Sequence, residues 1–373
     1  MIYLDNAATT RVFDSAAIAT QKAMLEDFYN PNATYKSAVK ANEKLEKSRK
    51  NIADAVGAFP DEIIFTSCAT ESNNTVFDCG IKNQKGNIVI TAGEHSSVYE
   101  CAMRLKGRGR DVRIAPLTPS GIVNHEKLLS LVDDNTALVS IIHVSNETGA
   151  VNPIQQIVAS IRKKNARTLI HCDGVQAVLK LEQRISELGV DYYSASAHKI
   201  GAPKGIGFLY VRRGLNIAPY IIGGGQEHGL RSGTQNTPYI SAFEQAVNEF
   251  TIIRDRANAT QIRNGLCDYF TSCGYNIVGS AENSGYITCV CIPGIKAEIL
   301  QNMVHDRGVI IGKGSACSGA KRGNRVLAAI GLSQTEIEGC IRISTFNNTR
   351  DEVMSAAHII NETVKKIRSG NVK

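Results

Sequence analysis

The chain has 373 residues, 43% of them hydrophobic and 21% charged, the proportions of an ordinary globular protein with two or three units and a large core. A formal charge of +7 is modest at this size: it permits an acidic or RNA-bearing partner without arguing for one, and no direct contact with nucleic acid is expected. No apolar run nears the ~20 residues of a membrane helix, so no membrane partner is expected either.

The first residues, Met1-Ile2-Tyr3-Leu4-Asp5, lack the basic start and apolar stretch of a signal peptide. Ten cysteines form no regular framework, so the expected compartment is a reducing one, the cytoplasm, with free thiols. Cys289 and Cys291 alternate on what reads as a strand. Two such residues without a second pair argue against zinc and for buried thiols, and no metal site is expected.

In chain order, residues 3–10 read as a short strand running into a small-residue turn, followed by a helix through Ala16 to Asp27. The Asn-Pro punctuation of residues 29–34 marks a loop. A charged amphipathic helix spans about 37–56, with Val39, Leu45 and Ile52 expected to face the core. From Glu62 onward apolar runs alternate with helical stretches. The runs are Ile63-Ile64-Phe65, Ile88-Val89-Ile90, Leu138 to Ile142 and Leu169-Ile170-His171; helices follow Thr66-Glu71 and His95 and cover residues 153–164. Such runs mark parallel strands covered on both faces, hence an α/β domain with a mostly parallel sheet. A ligand is expected at the loops that end those strands.

The strand-end loops carry the polar residues. Thr66-Ser67-Cys68-Ala69-Thr70-Glu71 offers hydroxyls and free N–H groups at a helix start, which suits a phosphate or a plain N-cap. Glu94-His95 places an imidazole at a strand end, where a structural role is the competing reading. Ser145-Asn146-Glu147-Thr148-Gly149 and Asp173-Gly174-Val175-Gln176 end the next two runs. A buried aspartate at that place needs a cationic partner. Lys199 then sits in Ser194-Ala195-Ser196-Ala197-His198-Lys199, followed by Ile200-Gly201-Ala202-Pro203. Small neighbours let a planar group approach closely, and a poorly hydrated ammonium can lose its proton and attack a carbonyl; the plain alternative is a lysine capping a turn.

Residues 207–211 return as a strand. The loop bearing Gly223-Gly224-Gly225 and Arg231-Ser232-Gly233-Thr234 leads to one long helical stretch, about 240–273, bridging to a smaller α+β domain. That domain is expected to hold strands near 286–291 and 309–311, a helix over 297–306, and mostly helix at the end. Within it, Cys317 lies among glycines, serines, Lys313, Lys321 and Arg322, a setting that favours a thiolate.

Together these stretches resemble the cysteine desulfurases, pyridoxal 5'-phosphate (PLP) enzymes of the class V aminotransferase group with the fold type I architecture. The resemblance runs in register through Tyr3-Leu4-Asp5-Asn6-Ala7-Ala8-Thr9-Thr10, Ala69-Thr70-Glu71-Ser72-Asn73-Asn74, Glu94-His95, Asn146-Glu147-Thr148-Gly149, Asp173 with Gln176, Ser196-Ala197-His198-Lys199, Arg231-Ser232-Gly233-Thr234 and Ser315-Ala316-Cys317. It implies a large PLP-binding domain over 15–252 and a small domain from 1–14 and 253–373. By the same resemblance, Lys199 would hold PLP covalently and move protons, Asp173 would pair with the pyridinium nitrogen, Gln176 would bond the phenolic oxygen, and His95 would stack on the ring. Ala69, Thr70, Ser196 and His198 would hold the phosphate, with Thr234 reaching across from a second subunit of a homodimer. Asn146 and Arg342 would grip the carboxylate of L-cysteine. Cys317 would take its sulfur as a persulfide, releasing alanine, and pass it to an acceptor in iron–sulfur assembly or tRNA thiolation. Two departures from the family stand out: Tyr35 where a histidine is common, and Thr345-Phe346 where Leu-Gly is usual. The rival readings are a selenocysteine lyase or other class V activity, and a non-catalytic sulfur-transfer scaffold.

Overall fold

The computed structural model describes residues 1–81, 85–314 and 324–370; Cys317 and the rest of 315–323, including Lys321 and Arg322, lie outside them. Strand β1 is Ile2–Leu4, followed by β2 (Ile63–Thr66), β3 (Asn87–Thr91), β4 (Val112–Ala115), β5 (Thr136–Ile142), β6 (Leu169–Asp173), β7 (Tyr192–Ser196) and β8 (Gly207–Val211). The later strands are β9 (Asn276–Val278), β10 (Ile287–Cys291), β11 (Val309–Lys313) and β12 (Cys340–Ser344).

Seven of these form one sheet in the order β2-β8-β7-β6-β5-β3-β4. Its pairs from β7 through β4 are parallel, and β8 runs antiparallel to both β7 and β2. Every residue of β5 (TALVSII) is buried, as the near-continuous apolar run of a strand covered on two faces requires. One apolar cluster, with Val139, Ile141, Ile157 and Phe243, lies on one side of the sheet; another, with Ile88, Ile90, Leu138 and Tyr192, lies on the other.

The second sheet has the order β1-β11-β12-β10-β9, with β1 parallel to β11 and the other pairs antiparallel. Leu4, Leu300, Ile341 and Ile360 belong to its separate core. The first strand of the chain thus completes a sheet otherwise built from its last hundred residues. Among the described residues no helix is long and apolar enough to cross a membrane.

The elements differ from the sequence reading in specific places. The helix Lys36–Val56 buries Ala38, Ala41, Leu45 and Ile52, but Val39 is exposed, because it falls beside the buried stripe rather than on it. The stretch 240–273 is two helices, Thr237–Ile253 and Arg256–Ser272; Asp255 starts the second by accepting a hydrogen bond from Asn258 N at 2.9 Å. Strand β7 (YYSAS) is too polar to read as an apolar run, and β12 (CIRIS) carries an arginine at its centre. Cys289 and Cys291 do lie buried on a strand.

Candidate active site

The carboxyl ends of β3, β5, β6 and β7 open into a cavity of about 830 Å³, closed on the far side by Arg342 of β12 and by Asn324 and Arg325. Its lining includes Ala69, Thr70, His95, Asn146, Asp173, Gln176, Ser196, His198, Lys199 and Arg342, so those residues meet in one place although they span 273 positions of sequence, from 69 to 342. Thr234 is exposed and is not part of this lining. Cys317 falls outside the described residues.

Lys199 ends a single helical turn, Ala197–Lys199, directly after β7. Its Nζ donates to Ala7 O at 2.6 Å and Ala8 O at 2.7 Å. The segment that follows β1 is strapped to the same turn: Thr10 N and Thr10 Oγ1 both donate to His198 O at 3.0 Å, and Phe13 N donates to Gly201 O at 2.8 Å. Gly201 has φ +88°, and a Cβ there would meet the Phe13 ring at 2.2 Å. A side chain at 201 would push the strap off the lysine.

Asp173, the last residue of β6, is held on both oxygens, by Asn73 Nδ2 at 3.0 Å and by Val175 N at 3.1 Å. Asn73 also donates to Ser97 Oγ at 2.8 Å, and that hydroxyl lies 2.8 Å from His95 Nδ1. The imidazole caps the helix Ser96–Gly107 and is thereby fixed at the cavity wall. Burial holds the His95 pKa below the ordinary imidazole value, Asp173 opposing and Lys199 adding to the effect. His198, 3.1 Å from Thr9 Oγ1, is pushed further down, to about 3, by burial and by Lys199, Lys204 and Lys180. It is therefore a neutral ring at physiological pH.

Arg342 projects from β12, with Nη2 3.0 Å from Asp5 Oδ1 and Nη1 donating to Asn146 O at 2.9 Å. Gly312 makes room for it, since a Cβ at 312 would meet Asp5 Oδ1 at 2.6 Å and the guanidinium at 3.1 Å. Arg342 Nε and Asn146 Oδ1 are buried atoms without a partner in the described structure. Orphaned polar atoms at one cavity wall are what a bound polar ligand would satisfy. Asn73 Oδ1 and Glu94 Oε2 are two more.

The sequence reading gave no role to Asn73, Glu94, Glu147, Lys180 or Arg325. Asn73 could have been found by helical spacing, being three residues after Thr70 on the inward side. Arg325 donates to Ala92 O and Glu94 O and lies 4.0 Å over the Tyr99 ring, contacts that only the fold brings about. The two departures from the family pattern are both placed. Tyr35 is exposed and meets Tyr29 edge-on at 6.2 Å, outside the cavity lining. Phe346 stacks on Phe250 at 5.0 Å and fills the space between the helix Thr237–Ile253 and Phe13.

The family model described as "Aminotransferase class-V" matches residues 2–355. The chain is 33% identical over 379 residues to a protein of Trichormus variabilis named "Cysteine desulfurase 2", covering 99% of this chain and 94% of the relative. It is also 33% identical to "Cysteine desulfurase IscS" of Methanosarcina thermophila, over 99% of this chain and 93% of that one. Among solved structures, one titled "NIFS-LIKE PROTEIN" superposes with a TM-score of 0.90 at 36% identity, covering 98% of this chain and 99% of its own. Another, "SspA in complex with cysteine", gives 0.82 at 32% identity over 92% of this chain and 98% of its own.

Proposed function

Because the chain belongs to the class-V aminotransferase family and is a PLP-dependent cysteine desulfurase within it, we propose that the cavity binds L-cysteine and passes its sulfur to Cys317, releasing L-alanine. One observation carries the reading: Lys199, Asp173, His95 and Arg342, drawn from two sheets, line a single cavity. PLP, when bound, supplies an electron sink that labilises bonds at the carbons of the amino acid.

The chain's own residues do the rest. Asp173, already oriented by Asn73 and Val175, would pair with the cofactor's ring nitrogen, and Gln176 would donate to its phenolic oxygen. His95 would lie against the ring face, while the Ala69 and Thr70 backbone, the Ser196 hydroxyl and neutral His198 would hold the phosphate. Lys199 Nζ would hold the cofactor and would carry protons between carbon atoms of the substrate. Arg342 Nε and Asn146 hold the carboxylate. The Cys317 thiolate attacks the substrate sulfur: an S–S bond forms, the carbon–sulfur bond breaks, and the pair left on carbon is protonated to give alanine. Cysteine and one thiol thus become alanine and one persulfide, with no outside oxidant.

In the same proposal the chain divides into a large unit, 15–252, and a small unit, 1–14 with 253–373, a division supported by the pairing of β1 with β11. Exposed Thr234 serves the phosphate of a second copy in a homodimer, and an acceptor protein of iron–sulfur assembly or tRNA thiolation takes the sulfur in the cytoplasm. The test uses the holoenzyme and Cys317→Ser. Wild type should yield alanine and a Cys317 peptide one sulfur heavier. The variant should stay yellow and change its spectrum with cysteine, yet release almost no sulfide. Near-normal alanine and sulfide from Cys317→Ser would refute transfer through this thiol.

A further inference from the structure

Lys180 is 3% exposed, on the turn that follows β6, four residues after Gln176. A lysine so deep needs a reason, because burying an ammonium is costly without a counter-charge. Its Nζ donates to Gln176 Oε1 at 3.3 Å and lies 5.8 Å from the Tyr286 ring centroid. Burial lowers the Lys180 pKa to about 7, the Lys199 charge adding to the effect.

The partner of Lys180 is the cavity residue Gln176, whose Nε2 donates to Ala7 O at 2.8 Å. Ala7 O also accepts from Lys199, so a hydrogen-bonded path runs Lys180–Gln176–Ala7–Lys199. A carboxamide has two N–H donors and one acceptor oxygen. Exchanging them would set Oε1 against the Ala7 carbonyl, acceptor against acceptor, and would set Nε2 against the Lys180 ammonium, donor against donor. The network therefore admits one orientation. The oxygen is turned away to Lys180, and the second Nε2 hydrogen is left for whatever occupies the cavity.

We propose that Lys180 is a positioning residue: by holding Gln176 Oε1 it makes Gln176 a hydrogen-bond donor toward the cavity and so favours the anionic form of an oxygen bound there. Resting on the functional reading above, that oxygen is the phenolic oxygen of PLP. A donor at this point stabilises the ionised oxygen, on which the visible absorption of the holoenzyme depends. Without Lys180 the Ala7 carbonyl alone would hold the carboxamide, and the buried Oε1 would lose its donor, so the amide would be less firmly kept with its N–H toward the bound oxygen.

The experiment is a double-mutant cycle on the holoenzyme with Lys180→Met and Gln176→Ala, read by PLP dissociation constant and by the visible band across neutral pH. Lys180→Met should weaken PLP about tenfold, the scale of one buried hydrogen bond, and move the band to shorter wavelength. Gln176→Ala should do the same, and adding Lys180→Met to it should change neither readout further. A wild-type band and affinity in Lys180→Met would overturn the inference, as would a full tenfold loss on top of Gln176→Ala, since a merely structural lysine would act without Gln176. If Lys180→Met does not fold, Lys180→Gln retains a donor and should keep the wild-type band; a shifted band in that folded variant would overturn the inference. Wild-type protein that takes up no PLP overturns the functional reading and this inference with it, whereas PLP uptake with additive losses overturns the inference alone.

Discussion

Glu94→Gln should leave the protein more stable than wild type by a margin that grows with pH. Glu94 is fully buried three residues beyond β3, its Oε1 accepting from Thr91 Oγ1 at 2.7 Å and from Ile142 N at 2.9 Å. Burial raises its pKa to about 8; the Thr91 bond opposes the shift and the nearby Asp173 charge adds to it. The unfolded chain releases this proton near the ordinary carboxylate value of about 4.3. Between those two values the folded state holds more protons than the unfolded one, so Glu94 makes stability fall as pH rises, by about 1.4 kcal/mol per pH unit. Glutamine keeps the acceptor oxygen and has no proton to lose. The gap between variant and wild type should therefore widen by about 3 kcal/mol from about pH 5.5 to about pH 7.5 and level off above about pH 8. Urea unfolding of cofactor-free protein at fixed temperature measures it, the midpoints being converted with a common slope. A gap that stays constant over that range would show that Glu94 is ionised in the fold.

Arg342→Ala should raise the KM for cysteine and lower kcat/KM by an amount on the order of 2–5 kcal/mol, the cost of leaving a buried carboxylate without its partner. PLP titration should be unaffected, and unchanged cysteine kinetics would move the carboxylate contact elsewhere. Arg49→Ala acts on the fold instead. Arg49 and Glu227 are both buried and pair at 2.7 Å, and Glu227 also accepts from Phe65 N at 2.8 Å. Removing the guanidinium strands that carboxylate and should cost about 3–5 kcal/mol of unfolding free energy. An unfolding midpoint close to wild type would refute this.

The large sheet was legible because parallel strands buried on two faces must be apolar throughout, which is why β3, β5 and β6 stand out; β2, antiparallel to β8 at the edge, stands out because it too is buried along its whole length. Strand β7 did not, because its outward job is to deliver Ser194, Ser196 and the Lys199 turn, and those residues dilute its apolar character. Strand β12 was hidden for the same reason: Arg342 at its centre makes it look like a surface segment. Elements that carry the site are those whose local pattern departs from the rule for their secondary structure. The position of Asp173 needs only the end of an apolar run, so it could be read from sequence. Its fixing by Asn73, and the locking of Gln176 by Lys180, depend on turns and helix faces that no local pattern specifies.

The first ten residues explain why one site can draw on two sheets. Strand β1 pairs with β11 and is bonded through Asn6 and Ala7 to Ser344 at the end of β12, with Ala7 N donating to Ser344 Oγ at 2.8 Å. The next residues bind Lys199, His198 and Gln176 of the large sheet. Asp5, directly after β1 and ahead of these contacts, holds Arg342. A shift of the small sheet would therefore move Arg342, the Asp5 carboxylate and the carbonyls that hold Lys199 together, not one at a time. Backbone carbonyls make such a coupling stiff, since they have no rotamer to adjust. The spacing between the carboxylate-binding arginine and the reactive lysine is thus set by about five residues of main chain, Asp5 to Thr9, rather than by the packing of the two cores alone.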